Sequence, residues 1–217
     1  MEQEGPEIDA QVFPTWHALV ERFTEPVIVS VDIPIGLPER GSRQCDLDAR
    51  RFLGKPRNSS VFPAPVRGCV RPGSYAEINA AHYGIDGRGL TRQAYGLLEK
   101  IAQVDQDLRA DPSRQQWIRE IHPEVSFTCW NGGRPMRHNK KKPCGRTERE
   151  ALIETVWPAQ RARLAMHVRG HGCAPDDLND AFAALWTARR IAARSARVFP
   201  EKTSEVDARG LRMEIFA

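Results

Sequence analysis

The stretch Val27-Ile28-Val29-Ser30-Val31-Asp32-Ile33-Pro34-Ile35-Gly36-Leu37-Pro38 decides the fold class of this chain. Its first half is short, apolar and β-branched, and Pro and Gly close it, which reads as a strand over 27–33 buried on both faces. Asp32 falls at the carboxyl end of that strand. In open α/β sheets the ligand crevice lies just outside the carboxyl ends of the strands. A carboxylate there is costly unless it meets a cation, a hydrogen-bond donor or a proton. Asp32 therefore either caps the following turn or serves as a metal ligand or general base.

On the N-terminal side, Ile8, Ala10 and Val12 alternate with polar neighbours, predicting a short strand that ends at Pro14. Thr15 is placed to cap a helix through about Phe23 that carries Trp16, Leu19, Val20 and Phe23 on one face, with Pro26 as its stop. Strand, helix and buried strand in that order begin a crossover in a parallel or mixed sheet. On the C-terminal side, residues 37–116 read mostly as helix and loop. A helix is expected over Asp46–Leu53, ended by Gly54, and another from Ser74 to about His82. Pro63 and Pro65 force extended backbone on their neighbours. Ala94, Leu97, Leu98, Ile101, Val104 and Leu108 recur with a period near 3.6 and predict a long amphipathic helix over Thr91–Leu108. Trp117–His122 is a second strand, stopped by Pro123. Helices are expected over Thr147–Trp157 and Pro175–Arg194, and an edge strand over 211–216. With no internal repeat or linker, residues 1–217 read as one α/β domain with a helical insertion at 37–116.

Composition is that of an ordinary soluble globule, with 41% hydrophobic and 28% charged residues among 217. The net charge of +4 permits a polyanionic partner without demanding one. No apolar run approaches the roughly 20 residues of a membrane span, and the N-terminus is no signal peptide, so no membrane partner is expected. Cys45, Cys69, Cys129, Cys144 and Cys173 are scattered without a C-x-x-C pair, which points to a reducing cytoplasm. His167, His171 and Cys173 have zinc-compatible spacing and no evident fourth ligand.

Three groups of residues are candidates for chemistry. Asp176 suits a helix cap, whereas Asp177 and Asp180 are three apart and share a helix face, where two carboxylates repel unless something positive lies between them. Glu120, His122 and Glu124 gather at and beyond the end of the second strand. Lys140, Lys141, Lys142 and Arg146, with Arg134, Arg137, His138 and Arg149 nearby, form either a solvated loop or a hold for a phosphate backbone. Asn58-Ser59-Ser60 is a turn or a rim of hydroxyls.

Several of these segments, in order, resemble an uncharacterised bacterial family of predicted ribonuclease-H-like nucleases (domain of unknown function 429). The matching stretches are DIPIGLP at 32–38, CDLDARRFLG at 45–54, SVFPAPVR at 60–67, GRGLTRQAYGLLEKIAQVD at 87–105, EIHPEVSF at 120–127, NGGRPM at 131–136 and DDLNDAFAALWTARRIA at 176–192. The resemblance implies a ribonuclease-H-like mixed sheet flanked by helices. It also implies a hydrolase: a Mg²⁺- or Mn²⁺-dependent nuclease cleaving phosphodiester bonds. Carried over by position, Asp32, Asp177 and Asp180 would hold the metal, with Glu124 or His122 as ligand, base or water-orienting group. Lys140, Lys141, Lys142 and Arg146 would hold nucleic acid or a nucleotide.

The family pattern opens on a strand with Asp, a Gly-rich turn and Trp, and no such segment occurs in this sequence. The resemblance then implies a sheet without its first hairpin, weak or absent nuclease activity, and an exposed edge on strand 27–33 that invites a homo-oligomer. The alternative is a binding module for nucleic acid or nucleotide that keeps the fold without the chemistry.

Overall fold

A computed structural model describes residues 8–23 and 27–217. The chain is mixed α/β. The buried strand exists, shorter than expected: β1 spans Val29–Val31. It pairs in parallel with β2, Ile118–Glu120, in the register Val29↔Ile118 and Val31↔Glu120. Near the C-terminus, β3 (Val198–Phe199) pairs antiparallel with β6 (Ile215–Phe216), and β4 (Glu205–Val206) with β5 (Arg212–Met213). A bridge between Ile121 and Phe216 joins β2 to β6, so β1, β2, β6 and β3 lie side by side. Among the described residues β1 pairs with β2 alone, in keeping with the expected unpaired edge.

The helices follow local signals. After α1 (Trp16–Val20), capped by Thr15, come α2 (Gln44–Leu53), α3 (Tyr75–Asp86) and α4 (Arg92–Ala110). Ser74 and Glu77 form a full capping box on α3, and the Thr91 side chain caps α4. The apolar stripe of α4 is buried at Ala94, Leu98, Ile101, Val104 and Leu108, as its spacing predicted. Three further helices begin with proline at their first position: α5 (Pro123–Trp130), α6 (Pro143–Val156) and α8 (Pro175–Ala192), with α7 (Gln160–His167) before the last.

Two expectations fail here. Residues 8–12 form no strand, because the apolar side chains of Ile8 and Ala10 pack on the cluster around Trp157 and Leu164 instead of on a sheet. Pro123 follows the end of β2, as read, but opens a helix where a loop was expected: proline lacks only an N–H that the first turn leaves unpaired anyway. The same reasoning moves the start of α6 from 147 to 143. Pro26, the expected stop of α1, lies outside the described residues.

The loop after β1 is fixed by buried polar groups. Ile35 N–H donates to Glu120 at 2.7 Å, Arg43 donates to the Ile35 carbonyl at 3.0 Å, and Leu37 N–H donates to Asp207 at 2.9 Å. Arg43 itself, fully buried, is shared between Glu120 (2.7 Å to each oxygen) and Asp46. Gly36 has φ +72°, and a Cβ there would lie 2.6 Å from Met213, so only glycine lets 33–38 pass β5.

Candidate functional site

Because β1 and β2 run parallel, their carboxyl ends point the same way. Asp32 follows β1 directly, and His122 and Glu124 follow β2, so residues about ninety apart in sequence meet at one end of the sheet. They line a cleft of about 390 Å³. Arg57, Ser59 and Ser60 close it from the loop after α2, Gln93 from α4, and Asn139, Lys140 and Lys141 from the loop before α6. The Asn58-Ser59-Ser60 segment is thus both a turn and a hydroxyl rim, lying in a one-turn helix over Arg57–Ser60.

Asp32 opens onto this cleft. The protein packed around it raises its pKa above the ordinary carboxylate value by desolvation, against the pull of His122 and Lys140. Asp180 reaches the same place from the first turns of α8. Its Oδ2 accepts from the Lys140 ammonium at 2.5 Å, and its buried Oδ1 has no partner. Burial lifts Asp180 to about 6, with Lys140 opposing and the nearby charges of Asp32 and Glu124 adding to the rise. Lys140 is raised as well: its carboxylate neighbours outweigh desolvation.

Lys140 is presented by a built turn. The Arg137 and His138 N–H groups both donate to the Glu148 carboxylate, at 2.7 and 3.0 Å, and Lys142 N–H closes on the Asn139 carbonyl at 2.9 Å. Gly145 is packed beneath, where a Cβ would sit 2.0 Å from the Asn139 carbonyl oxygen.

Other sequence candidates serve elsewhere. Both oxygens of Glu124 are taken by Arg149, a guanidinium with no solvent exposure, at 2.6 to 3.0 Å. Glu124 lines the cleft, yet it is a structural anion. His122 Nε2 lies 3.1 Å from the Ser60 carbonyl and donates to it, which leaves the buried Nδ1 unpartnered. Asp177 does not join Asp32 and Asp180: its carboxylate accepts the Ala174 N–H at 2.9 Å, caps α8, and faces a separate apolar groove. Its position in the first turn of the helix, next to exposed backbone donors, is the reason. Lys142 precedes α6 and Arg146 lies within it, and neither lines the cleft. Arg57 and Gln93, which do, were not singled out from sequence; nothing in their local pattern marks them.

The donors at hand test whether a divalent ion belongs here. Asp32 and the Oδ1 of Asp180 offer carboxylate oxygens, but among the described residues no three His, Cys, Asp or Glu side chains come together as a ligand set. The Lys140 ammonium already holds the cation position against Asp180. As arranged, these residues do not fit the divalent ion that the resemblance implied.

No helix among the described residues is long and apolar enough to cross a membrane. No curated protein and no solved structure matches the chain. A family model does match, over residues 1–205, and the chain belongs to that family, described as protein of unknown function (DUF429).

Proposed function

We propose that the cleft binds a phosphate-bearing ligand, nucleic acid or nucleotide, and that Asp32, Lys140 and Asp180 hydrolyse its phosphodiester bond. The observation that carries this reading is the pair of carboxyl groups with raised pKa that share one lysine as a neighbour. Asp32 stands at the carboxyl end of a parallel strand pair, beside a rim of guanidinium, ammonium and hydroxyl groups, and Asp180 on α8 holds the Lys140 of that rim. Perturbed carboxyls in a cleft mark sites of proton transfer. Arg57, Lys141 and Ser59 supply the charge and donors that hold a phosphate. Asp32, ionised, takes the proton of the attacking water as its oxygen bonds to phosphorus. Lys140 offsets the charge that builds on the phosphoryl oxygens, and Asp180, protonated near pH 6, returns a proton to the leaving oxygen as the P–O bond breaks. The ribonuclease-H-like character implied by the resemblance belongs to the same reading, which the parallel β1–β2 pair supports.

The second reading, a binding module without hydrolysis, is favoured by one observation: Glu124 is locked by Arg149 and Asp177 is used as a cap, leaving two carboxyls where the resemblance implied more. One experiment separates the two. Single-stranded and branched oligonucleotides and a dinucleotide are offered to the protein and to Asp32→Asn, Arg57→Ala and Lys141→Ala, in Mg²⁺, Mn²⁺ or EDTA. The proposal expects binding weakened by salt and by Arg57→Ala, with cleavage lost in Asp32→Asn. Salt-sensitive binding without cleavage selects the second reading, and absence of binding to every ligand refutes both.

A further inference from the structure

We propose that Lys140 is the resident cation of the Asp32–Asp180 site and excludes a divalent ion from it. This goes beyond the phosphate reading and does not depend on it. The argument starts from charge and space. Two carboxylates close enough for one to raise the other's pKa need a positive charge beside them. Glu124 adds to the negative charge felt by Asp180 and Lys140, but Arg149 holds it at 2.6 Å and offsets it. The remaining pair is served by one group, the Lys140 Nζ, which touches Asp180 and is close enough to Asp32 to lower its pKa.

That lysine is not a chance surface contact. Its turn is tied down by the two N–H donations to Glu148, by the Arg149 bond to the His138 carbonyl at 3.2 Å, and by the backbone packing of Gly145 on Asn139. The fold thus spends a buried arginine and a glycine on aiming this ammonium. A divalent ion bound through Oδ2 of Asp180 would need the volume Nζ occupies, since carboxylate oxygens ligate at roughly 2.0–2.6 Å. Ion and ammonium are mutually exclusive there, and the ammonium is covalently present at high effective concentration.

The test uses the full chain and Mn²⁺ alone, with free Mn²⁺ followed by electron paramagnetic resonance and calorimetry at neutral pH. The wild-type protein is expected to show no tight Mn²⁺ site. Lys140→Met, which removes the ammonium and keeps the stem, should gain a site at least about tenfold tighter than any in the wild type. Adding Asp180→Asn to Lys140→Met should abolish the gain, and Lys140→Arg should behave as wild type. Thermal melting checks that each variant is folded, and Lys140→Gln replaces Lys140→Met under the same criteria if the latter is not. Mn²⁺ binding to the wild type as tight as to Lys140→Met would overturn the inference, as would a folded charge-removed variant with no gain. Because no nucleic acid enters the titration, failure here leaves the phosphate reading standing, and failure of that reading leaves this result intact.

Discussion

Arg149→Met should be among the most damaging single substitutions in this protein. The Arg149 guanidinium has no solvent exposure and gives two nitrogens to Glu124, whose own side chain is 5% exposed. Removing one partner leaves a buried carboxylate uncompensated, which costs about 3–5 kcal/mol in comparable buried pairs. That is a large share of the roughly 5–15 kcal/mol that holds a domain together. At roughly 2–4 °C per kcal/mol for a chain of this size, the melting temperature should fall by about 6–20 °C. Urea unfolding with linear extrapolation gives the free energy directly. The double variant Glu124→Leu/Arg149→Met should recover about half the loss, because the stranded charge is gone while the His138 carbonyl still lacks its donor. A loss below about 1 kcal/mol in Arg149→Met would refute the reasoning. It would mean that Glu124 reaches solvent or ligand through the cleft, and would return it to the candidates for proton transfer.

Three other outcomes are expected. Stability should rise as pH is lowered from 8 towards 5, because Asp32, Asp180 (about 6) and Glu120 (about 7) have folded pKa values above their unfolded ones, so the folded state takes up protons over that window. Below about pH 4 it should fall again as Asp207, held low against desolvation by three backbone N–H groups and by Arg67, becomes protonated; calorimetric melting at four pH values checks both limbs, and a flat profile between 8 and 5 would count against the raised-carboxyl account. Gly145→Ala should cost about 1–3 kcal/mol, since its Cβ would overlap the Asn139 carbonyl, and should weaken oligonucleotide binding by displacing the lysine turn. Ser74→Ala should cost about 1 kcal/mol through loss of the α3 capping box, with ligand binding unchanged.

Local rules made much of the framework legible. The β-branched run gave β1, the 3.6 period gave α4, and Ser74 and Thr91 marked helix starts, because each signal lies within a few residues of its consequence. At Pro123 the strand ended as read, but the same missing N–H also suits the first position of a helix, and only the following chain decides. The segment 8–12 has the alternation of a strand but finds a helical partner surface around Trp157, a tertiary choice that overrides period. The meeting of Asp32 with His122 and Glu124 was readable from the rule of carboxyl ends, whereas Asp180, on a helix, was expected near them only from the family resemblance. The fate of Glu124 was not: its partner lies 25 residues away, and nothing in the sequence around Arg149 says that this arginine, among many, is the buried one.

Glu120 and Asp180 show why a raised pKa cannot by itself name a functional group. Burial lifts both, to about 7 and about 6. The two differ in their hydrogen bonds. Glu120 receives Ile35 N–H and Arg43 on one oxygen and Arg43 on the other, all at 2.7 Å, and shares that single guanidinium with Asp46. Desolvation is the main reason for its rise; Arg43 and the Ile35 N–H pull it back, and the neighbouring Asp46 adds to it. Every bond it makes fastens the loop after β1. Asp180 instead has one oxygen on Lys140 and one buried oxygen with no partner, a state that native structures rarely leave without a reason. Its other oxygen holds Lys140, which lines the cleft together with Asp32, Lys141 and Arg57, whose buried Nε is also unpartnered. A group whose bonds are all used by the fold has nothing left for a ligand, whereas Asp180 retains an oxygen with no bond of its own.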